Sequence, residues 1–315
     1  MKIKKTLFNF GAYLFALLIL LFIFAFMMKP EKFSVLLDFS PFEIVVTLFL
    51  SLGAYIGNGA EYYVMARKLK ITMEKKDILL LPLAMNLAGT ILPFQGAMTY
   101  QIFLMKKKYN SEISQGCSIA AFLYLITVTI SGLAGVTIFC LRKTESILFL
   151  IISLLFLSAP FFLFLFVKLV TRIRISGKIG SIINFARKIL EGMALLGKDL
   201  KLTTILFVIY LLRLLSMVIL FYWIAKCLNI NVYFIAILLL NLWNMISLLL
   251  KFTPNNLGVS QVVSGVMFAL INLPESDGVL LSFVSTASFL IMAFSAGVVA
   301  MLYHFWQITM SKTKK

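Results

Sequence analysis

The chain alternates long apolar runs with short polar interruptions that are mostly basic. Runs of about 20 apolar residues, the length needed to cross a bilayer, lie near 7–28, 43–65, 114–140, 146–169, 203–225, 232–250 and 279–307. Two further segments, 78–105 and 252–273, are apolar enough to enter lipid, yet Pro and Gly break each where a plain helix would run on. The pattern predicts an all-α polytopic membrane protein with about seven to eight transmembrane helices plus one or two broken or re-entrant segments. The whole of 1–315 reads as one integral membrane domain.

Charge sets the expected topology, because cytoplasmic loops carry an excess of Lys and Arg. Three such residues precede the first run, five fall in 66–77, three in 106–108, eight in 168–201 and three at the C-terminus. With all five regions cytoplasmic, 78–105 enters and leaves on one side while 252–273 crosses; a second re-entrant loop is the alternative. The N-terminus is then cytoplasmic, and the first run, with no small-residue cleavage site after Phe26-Met27-Met28, reads as an uncleaved span in the inner membrane. The net charge of +17 accompanies 62% apolar residues, so basic groups beside spans point to topology and anionic headgroups rather than to nucleic acid. Within the linker 170–201, Ile182, Ile183, Phe185, Ala186, Ile189, Leu190, Met193 and Leu196 recur at helical spacing. Two readings stand for it: an amphipathic helix on the membrane surface, or a linker helix packed on the bundle.

Catalytic chemistry is thinly supplied. Cys117, Cys140 and Cys227 have no CxxC partner, His304 is the one histidine, and most carboxylates sit at loops or span ends, so no metal site, cofactor or enzymatic nucleophile is expected. His304, near a span end, reads as interfacial. Ionisable groups inside lipid are costly and tend to line pathways or pair, which singles out Glu61 and Arg213 as a possible ion pair facing a polar interior. Glu61 snorkelling to the interface and Arg213 capping a carbonyl is the other reading. Gly53 and Gly57 form a small-xxx-small pair that admits a close helix.

The broken segments carry the polar side chains. LPFQGAMTYQIFLMKKK, Leu92 to Lys108, places Pro93, Gln95, Gly96 and Gln101 before three lysines, and FTPNNLGVSQ, Phe252 to Gln261, places Pro254, Asn255, Asn256, Gly258 and Gln261 in a similar order. Irregular backbone at membrane depth is tolerated only where protein or a water-filled cavity surrounds it. The amides Gln95, Gln101, Asn255, Asn256 and Gln261, with Arg213, are therefore the candidate substrate-binding residues, and Pro93, Gly96, Pro254 and Gly258 shape the loops. Each broken segment is followed by an acidic turn and then a long span with glycines 19 residues apart, Gly116 and Gly135 or Gly278 and Gly297. This suggests half-repeats over 43–140 and 232–307, as in transporters with a central site, with chance similarity as the rival.

These two runs, with Asn86 upstream, resemble the signatures of the flippase-like membrane domain related to the transmembrane region of lysylphosphatidylglycerol synthases. In that family the first signature reads like LP-x-R-G with a second Arg before the lysines, and the second like TPGNLG-x-x-E. Here Gln95, Gln101 and Gln261 stand at the three charged positions, and Asn255 at the Gly after Pro254. Amides keep the hydrogen bonding and lose the charge assistance. The resemblance implies binding and translocation of a phospholipid or lipid-linked glycan headgroup across the cytoplasmic membrane. Because the synthases carry a further soluble aminoacyl-transferase domain that this sequence does not include, lipid aminoacylation is not expected of it. The alternative function is a non-transporting membrane partner or scaffold of an envelope lipid or glycan assembly complex, acting with a membrane glycosyltransferase.

Overall fold

The computed structural model describes residues 39–92, 95–142, 147–172, 177–247, 253 and 256–313, and all regular structure among them is helical. The expected first span, 7–28, lies outside the described residues. The described residues fall into two compact units. The first gathers those within Met1–Gly57, Leu79–Tyr100 and Leu212–Leu302, and the second those within Asn58–Ile78, Gln101–Leu211 and Tyr303–Lys315.

Helix α1, Pro41–Lys68, opens on a capping box: the Ser40 N–H donates to Glu43 Oε2 at 2.8 Å, and the Glu43 N–H donates to Ser40 Oγ at 3.3 Å. It ends at Lys70, in the left-handed region at φ 61°, where Ile71 N–H reaches Ala66 O and Lys70 N–H reaches Arg67 O. This double bond satisfies carbonyls that a helix end leaves orphaned. The helix α8, Leu200–Cys227, stops in the same way at Asn229, φ 54°, with Ile230 N–H on Ala225 O. Four stretches are long and apolar enough to cross a membrane: Pro41–Lys68, Ile113–Thr137, Leu200–Cys227 and Glu275–Met310. They coincide with four of the spans expected from the sequence.

One expectation changes. The run 146–169 is divided at Ser158 into α5, Ile147–Leu157, and α6, Ala159–Arg172. Pro160 is the cause, since it has no N–H for the carbonyl four residues back. The segment 252–273 contains α10, Val259–Leu270, a helix of 12 residues. At 1.5 Å per residue this is about 18 Å, shorter than the roughly 30 Å hydrocarbon core. A short turn leads from it into α11, Glu275–Met292, where a Cβ on Gly278 would lie 2.4 Å from Ser264 O.

The other broken segment is a helical hairpin. Helix α2, Asp77–Ile91, and helix α3, Gly96–Tyr109, are 15 and 14 residues long. Gln95 takes φ 68°, and a Cβ on Gly96 would meet Ala88 O at 2.5 Å and Leu92 Cβ at 2.6 Å, so only glycine fits inside the bend. The open ends lie side by side, because Asp77 at the head of α2 holds Lys108 and Tyr109 at the end of α3.

In the first unit, α8, helix α9 (Phe234–Ser247), α10 and α11 share a core built on Leu220, Phe221, Ile224, Ile237, Leu240, Phe268 and Leu281. The glycine pair of α1 is used as its spacing suggests: a Cβ on Gly57 would lie 2.7 Å from Arg213 Cβ, and one on Gly53 3.0 Å from Ser216 Oγ.

In the second unit, α7, Gly177–Gly197, packs on α4, Ile113–Arg142, and buries Leu190, Met193 and Leu196 there, while Ile182 and Phe185 stay exposed. This is the packed-linker reading of the segment. Ser118 Oγ donates to Ile189 O at 2.9 Å, and Lys188 pairs with Glu112 at 3.1 Å. The Lys188 hydrogen bond holds the Glu112 carboxyl below its ordinary value, so this exposed tie is present at neutral pH and is lost as pH falls through the carboxylate range. A Cβ on Gly192 would sit 2.3 Å from Ser118 Oγ. Gly192→Val is therefore expected to lift α7 from α4 and speed trypsin cleavage at Arg187 and Lys188 several-fold; unchanged digestion would show that the helix docks without this close approach.

Candidate functional site

Helix α11 presents a buried polar face to the first unit. Ser282, Ser285 and Ser288 recur at intervals of three and are 2–4% exposed, the spacing that stacks residues on one side of a helix. Ser51 of α1 reaches Ser288 at 3.2 Å, oxygen to oxygen. The Phe289 carbonyl accepts the Asn86 side-chain N–H at 2.7 Å, and Asn86 also donates to the Tyr55 hydroxyl. Beyond it the helix widens into one π-helical turn, Ala293–Gly297, before α12, Val298–Thr313. A Cβ on Gly297 would lie 2.8 Å from Leu83 O, so the hairpin helix α2 lies against this turn.

The second broken segment reaches the same helix. Gly258, at φ 85°, caps α10, and its N–H donates to Gln261 Oε1 at 2.7 Å; the Gln261 Nε2 then donates to Thr286 Oγ1 at 3.0 Å. Asn86 and Gln261, one from each broken segment, thus anchor about one helical turn apart on α11. Gln261 is fully buried and spends its amide on holding the turn. Asn256 sits in the same turn at φ 63°, its N–H on Thr253 O at 3.1 Å. Its side chain is 5% exposed, and neither amide atom has a hydrogen-bond partner among the described residues. Nearby, Ser264 Oγ donates to Asn244 Oδ1 at 3.1 Å.

Of the residues singled out from the sequence, Gln95, Gly96, Arg213, Asn256, Gly258 and Gln261 belong to the first unit, and Glu61 and Gln101 to the second. Glu61 is 1% exposed. Gln101 is fully buried, donating through Nε2 to Gly116 O at 3.2 Å, while its Oε1 finds no partner among the described residues. Pro93, Pro254 and Asn255 lie outside the described residues. No group of three or more metal-ligating side chains occurs among the described residues.

The second unit holds a cluster that sequence reasoning missed. Asp77 is fully buried, and its carboxylate faces His304 Nε2 at 3.0 Å through Oδ1 and accepts Lys108 Nζ at 2.6 Å and the Tyr109 hydroxyl through Oδ2. His304 is fully buried, not interfacial. Burial alone would raise the Asp77 carboxyl, but the bonds from His304 and Lys108 outweigh it and hold it below its usual value. Glu74 stands alongside, 3.7 Å from Lys108 and 2.7 Å from Lys76. Burial opposes ionisation there too, yet the Lys76 hydrogen bond and the Lys108 charge lower its carboxyl. The available signal was an acid opening and a Lys-Tyr pair closing one broken segment, which a hairpin must bring together.

A family model described as the lysylphosphatidylglycerol synthase TM region matches residues 9–305. No curated protein and no solved structure matches the chain.

Proposed function

The chain belongs to the lysylphosphatidylglycerol synthase transmembrane-region family, and from that premise we propose that it binds the headgroup of a phospholipid or lipid-linked glycan and carries it across the cytoplasmic membrane, with its N-terminus on the cytoplasmic side. The observation that supports this reading is the Asn256 amide, 5% exposed with both polar atoms unpartnered among the described residues. Leaving a buried polar group unmade costs about 1–3 kcal/mol, and such a group is well suited to a transient ligand. Asn256 offers two N–H donors to phosphate or hydroxyl oxygens of a headgroup and a carbonyl oxygen that accepts from its hydroxyls, beside the serine face of α11. Gln95 and Arg213 complete the polar lining of that unit, and Gln261 fixes the turn that presents Asn256. Acyl or prenyl tails remain in lipid, and alternating access is achieved by movement of the short, interrupted helices. The protein acts as a carrier, not an enzyme.

The test is headgroup accessibility in reconstituted vesicles, with a fluorescent phospholipid in one arm and a labelled lipid-linked glycan in the other. Asn256→Gly preserves the positive φ and removes the amide. It is expected to slow translocation about tenfold, equivalent to roughly 1.4 kcal/mol in the barrier, with thermal unfolding unchanged. Equal rates in variant and wild type, or wild-type vesicles silent with both lipids, would overturn the carrier reading and leave a scaffold role.

A further inference from the structure

We infer that the group seated against Asn256 is a pair of neighbouring hydroxyls on an uncharged sugar or polyol, so that a headgroup is selected by its hydroxyls and not by its phosphate. This selection rests on the reading above only in that Asn256 meets a headgroup, whether or not the headgroup is then carried across.

The turn that holds Asn256 is already built. Its backbone N–H donates to Thr253 O at 3.1 Å, and its carbonyl accepts from Ser260 Oγ at 3.2 Å. Thr253 Oγ1 donates to Leu257 O at 2.8 Å, and the Gly258 N–H donates to Gln261 Oε1 at 2.7 Å. Gln261 Nε2 reaches Thr286 Oγ1 on α11 at 3.0 Å, while Ser264 Oγ bonds Ser260 O at 2.7 Å and Asn244 Oδ1 on α9 at 3.1 Å. Three helices of the first unit thus fix the turn, and φ 63° at Asn256 is a conformation that asparagine tolerates better than most residues. What is left over is the Asn256 side chain, 5% exposed, with neither Oδ1 nor Nδ2 bonded among the described residues. A ligand that satisfies it need not order the turn first, so little affinity is lost to ordering.

The two unpaired atoms specify the ligand. Oδ1 only accepts and Nδ2 donates two N–H bonds, and a buried polar atom left unpaired is penalised. A phosphodiester oxygen accepts from Nδ2 but has no hydrogen for Oδ1, and a choline group has none either. An ammonium supplies hydrogens to Oδ1 but no acceptor to Nδ2, and it brings a charge among Ser260, Gln261, Ser264, Asn244 and Thr286, none of which is charged. Two hydroxyls on adjacent carbons answer both atoms at once. One donates to Oδ1, the other accepts from Nδ2, and neither carries charge. Sugars and a terminal glycerol both present such a pair.

The experiment measures equilibrium binding of labelled lipids to the full chain in phosphatidylcholine nanodiscs, whose lipid has no hydroxyl of its own. The probes are a glucosyl diacylglycerol, with sugar hydroxyls and no phosphate; phosphatidylglycerol, with a glycerol diol and a phosphate; and phosphatidylmethanol, with the phosphate alone. The diol lipids are expected to bind about tenfold or more tighter than phosphatidylmethanol, the factor for one buried acceptor left without a donor. Binding of the glucosyl lipid alone assigns the diol to a sugar, and binding of phosphatidylglycerol alone assigns it to glycerol. This ranking is read on the wild-type protein and needs no variant to fold. Asn256→Gly, which keeps the positive φ, should weaken the diol lipids to the level of phosphatidylmethanol and leave the latter where it was. Phosphatidylmethanol binding as tightly as the diol lipids, or a diol preference that persists in Asn256→Gly, overturns the proposal; so does binding of none of the probes, the result if water fills the place. A diol preference in a protein whose vesicles show no translocation removes the carrier reading alone. Translocation that proceeds equally with phosphatidylmethanol, and is slowed by Asn256→Gly, removes the diol alone.

Discussion

Gly59→Ala is expected to cost upwards of about 3 kcal/mol and to remove most of the folded, monodisperse protein from detergent extracts. Helix α1 passes the first turn of α2 so closely that a Cβ on Gly59 would lie 1.6 Å from Ile78 O, 2.4 Å from its carbonyl carbon and 2.9 Å from its Cα. All three atoms are backbone, so no side chain can turn aside and the two segments must part. The approach is possible because Pro82, four residues after Ile78, has no N–H to draw that carbonyl into the helix ladder. Ile78 follows Asp77 directly, so any shift that accommodates a methyl group also displaces the carboxylate holding Lys108. Gly89→Ala is the control. Its Cβ would meet Ala97 Cβ at 3.4 Å, an ordinary contact, and alanine in a helix interior gains about 1 kcal/mol over glycine. Thermal unfolding in detergent separates the two, and a Gly59→Ala protein that melts within about 1 kcal/mol of wild type would show that the crossing opens at little cost.

What was legible in the sequence was what depends on neighbours along the chain. Apolar runs gave four spans at nearly their observed bounds, and the Gly53–Gly57 spacing correctly announced a close helix, later seen to be α8 at Arg213 and Ser216. The bend at Gln95-Gly96 followed from glycine's tolerance of crowding. Less legible were features set by one missing donor, such as the division at Ser158, where an apolar run hides the effect of Pro160. The role of Gln261 was also hidden, since a buried amide that caps Gly258 and bonds Thr286 looks in sequence like one waiting for a ligand. Contacts across long separations left no local trace at all. His304 meets Asp77 over 227 positions, and nothing in the flanks of either residue distinguishes a buried partner from an interfacial one.

That same contact carries the second large effect. Asp77→Leu is expected to destabilise the protein by about 3–5 kcal/mol, because it strands a buried ammonium rather than merely deleting one bond. Lys108 has a side chain 6% exposed, and its remaining acidic neighbour, Glu74, is 3.7 Å away; His304 and Tyr109 lose their acceptor as well. Adding Lys108→Met to Asp77→Leu removes the uncompensated charge and should recover most of the loss. The coupling between the two positions, read from a double-mutant cycle, then exceeds about 1.5 kcal/mol. The exposed pair Lys188–Glu112, with side chains 59% and 63% accessible, supplies the comparison, and breaking it should leave thermal unfolding nearly unchanged. The physical content lies in the sign of the rescue. If the double variant were as unstable as Asp77→Leu alone, the loss would reside in the carboxylate's bonds to His304 and Tyr109, and Lys108 would not be the group whose charge Asp77 is there to hold.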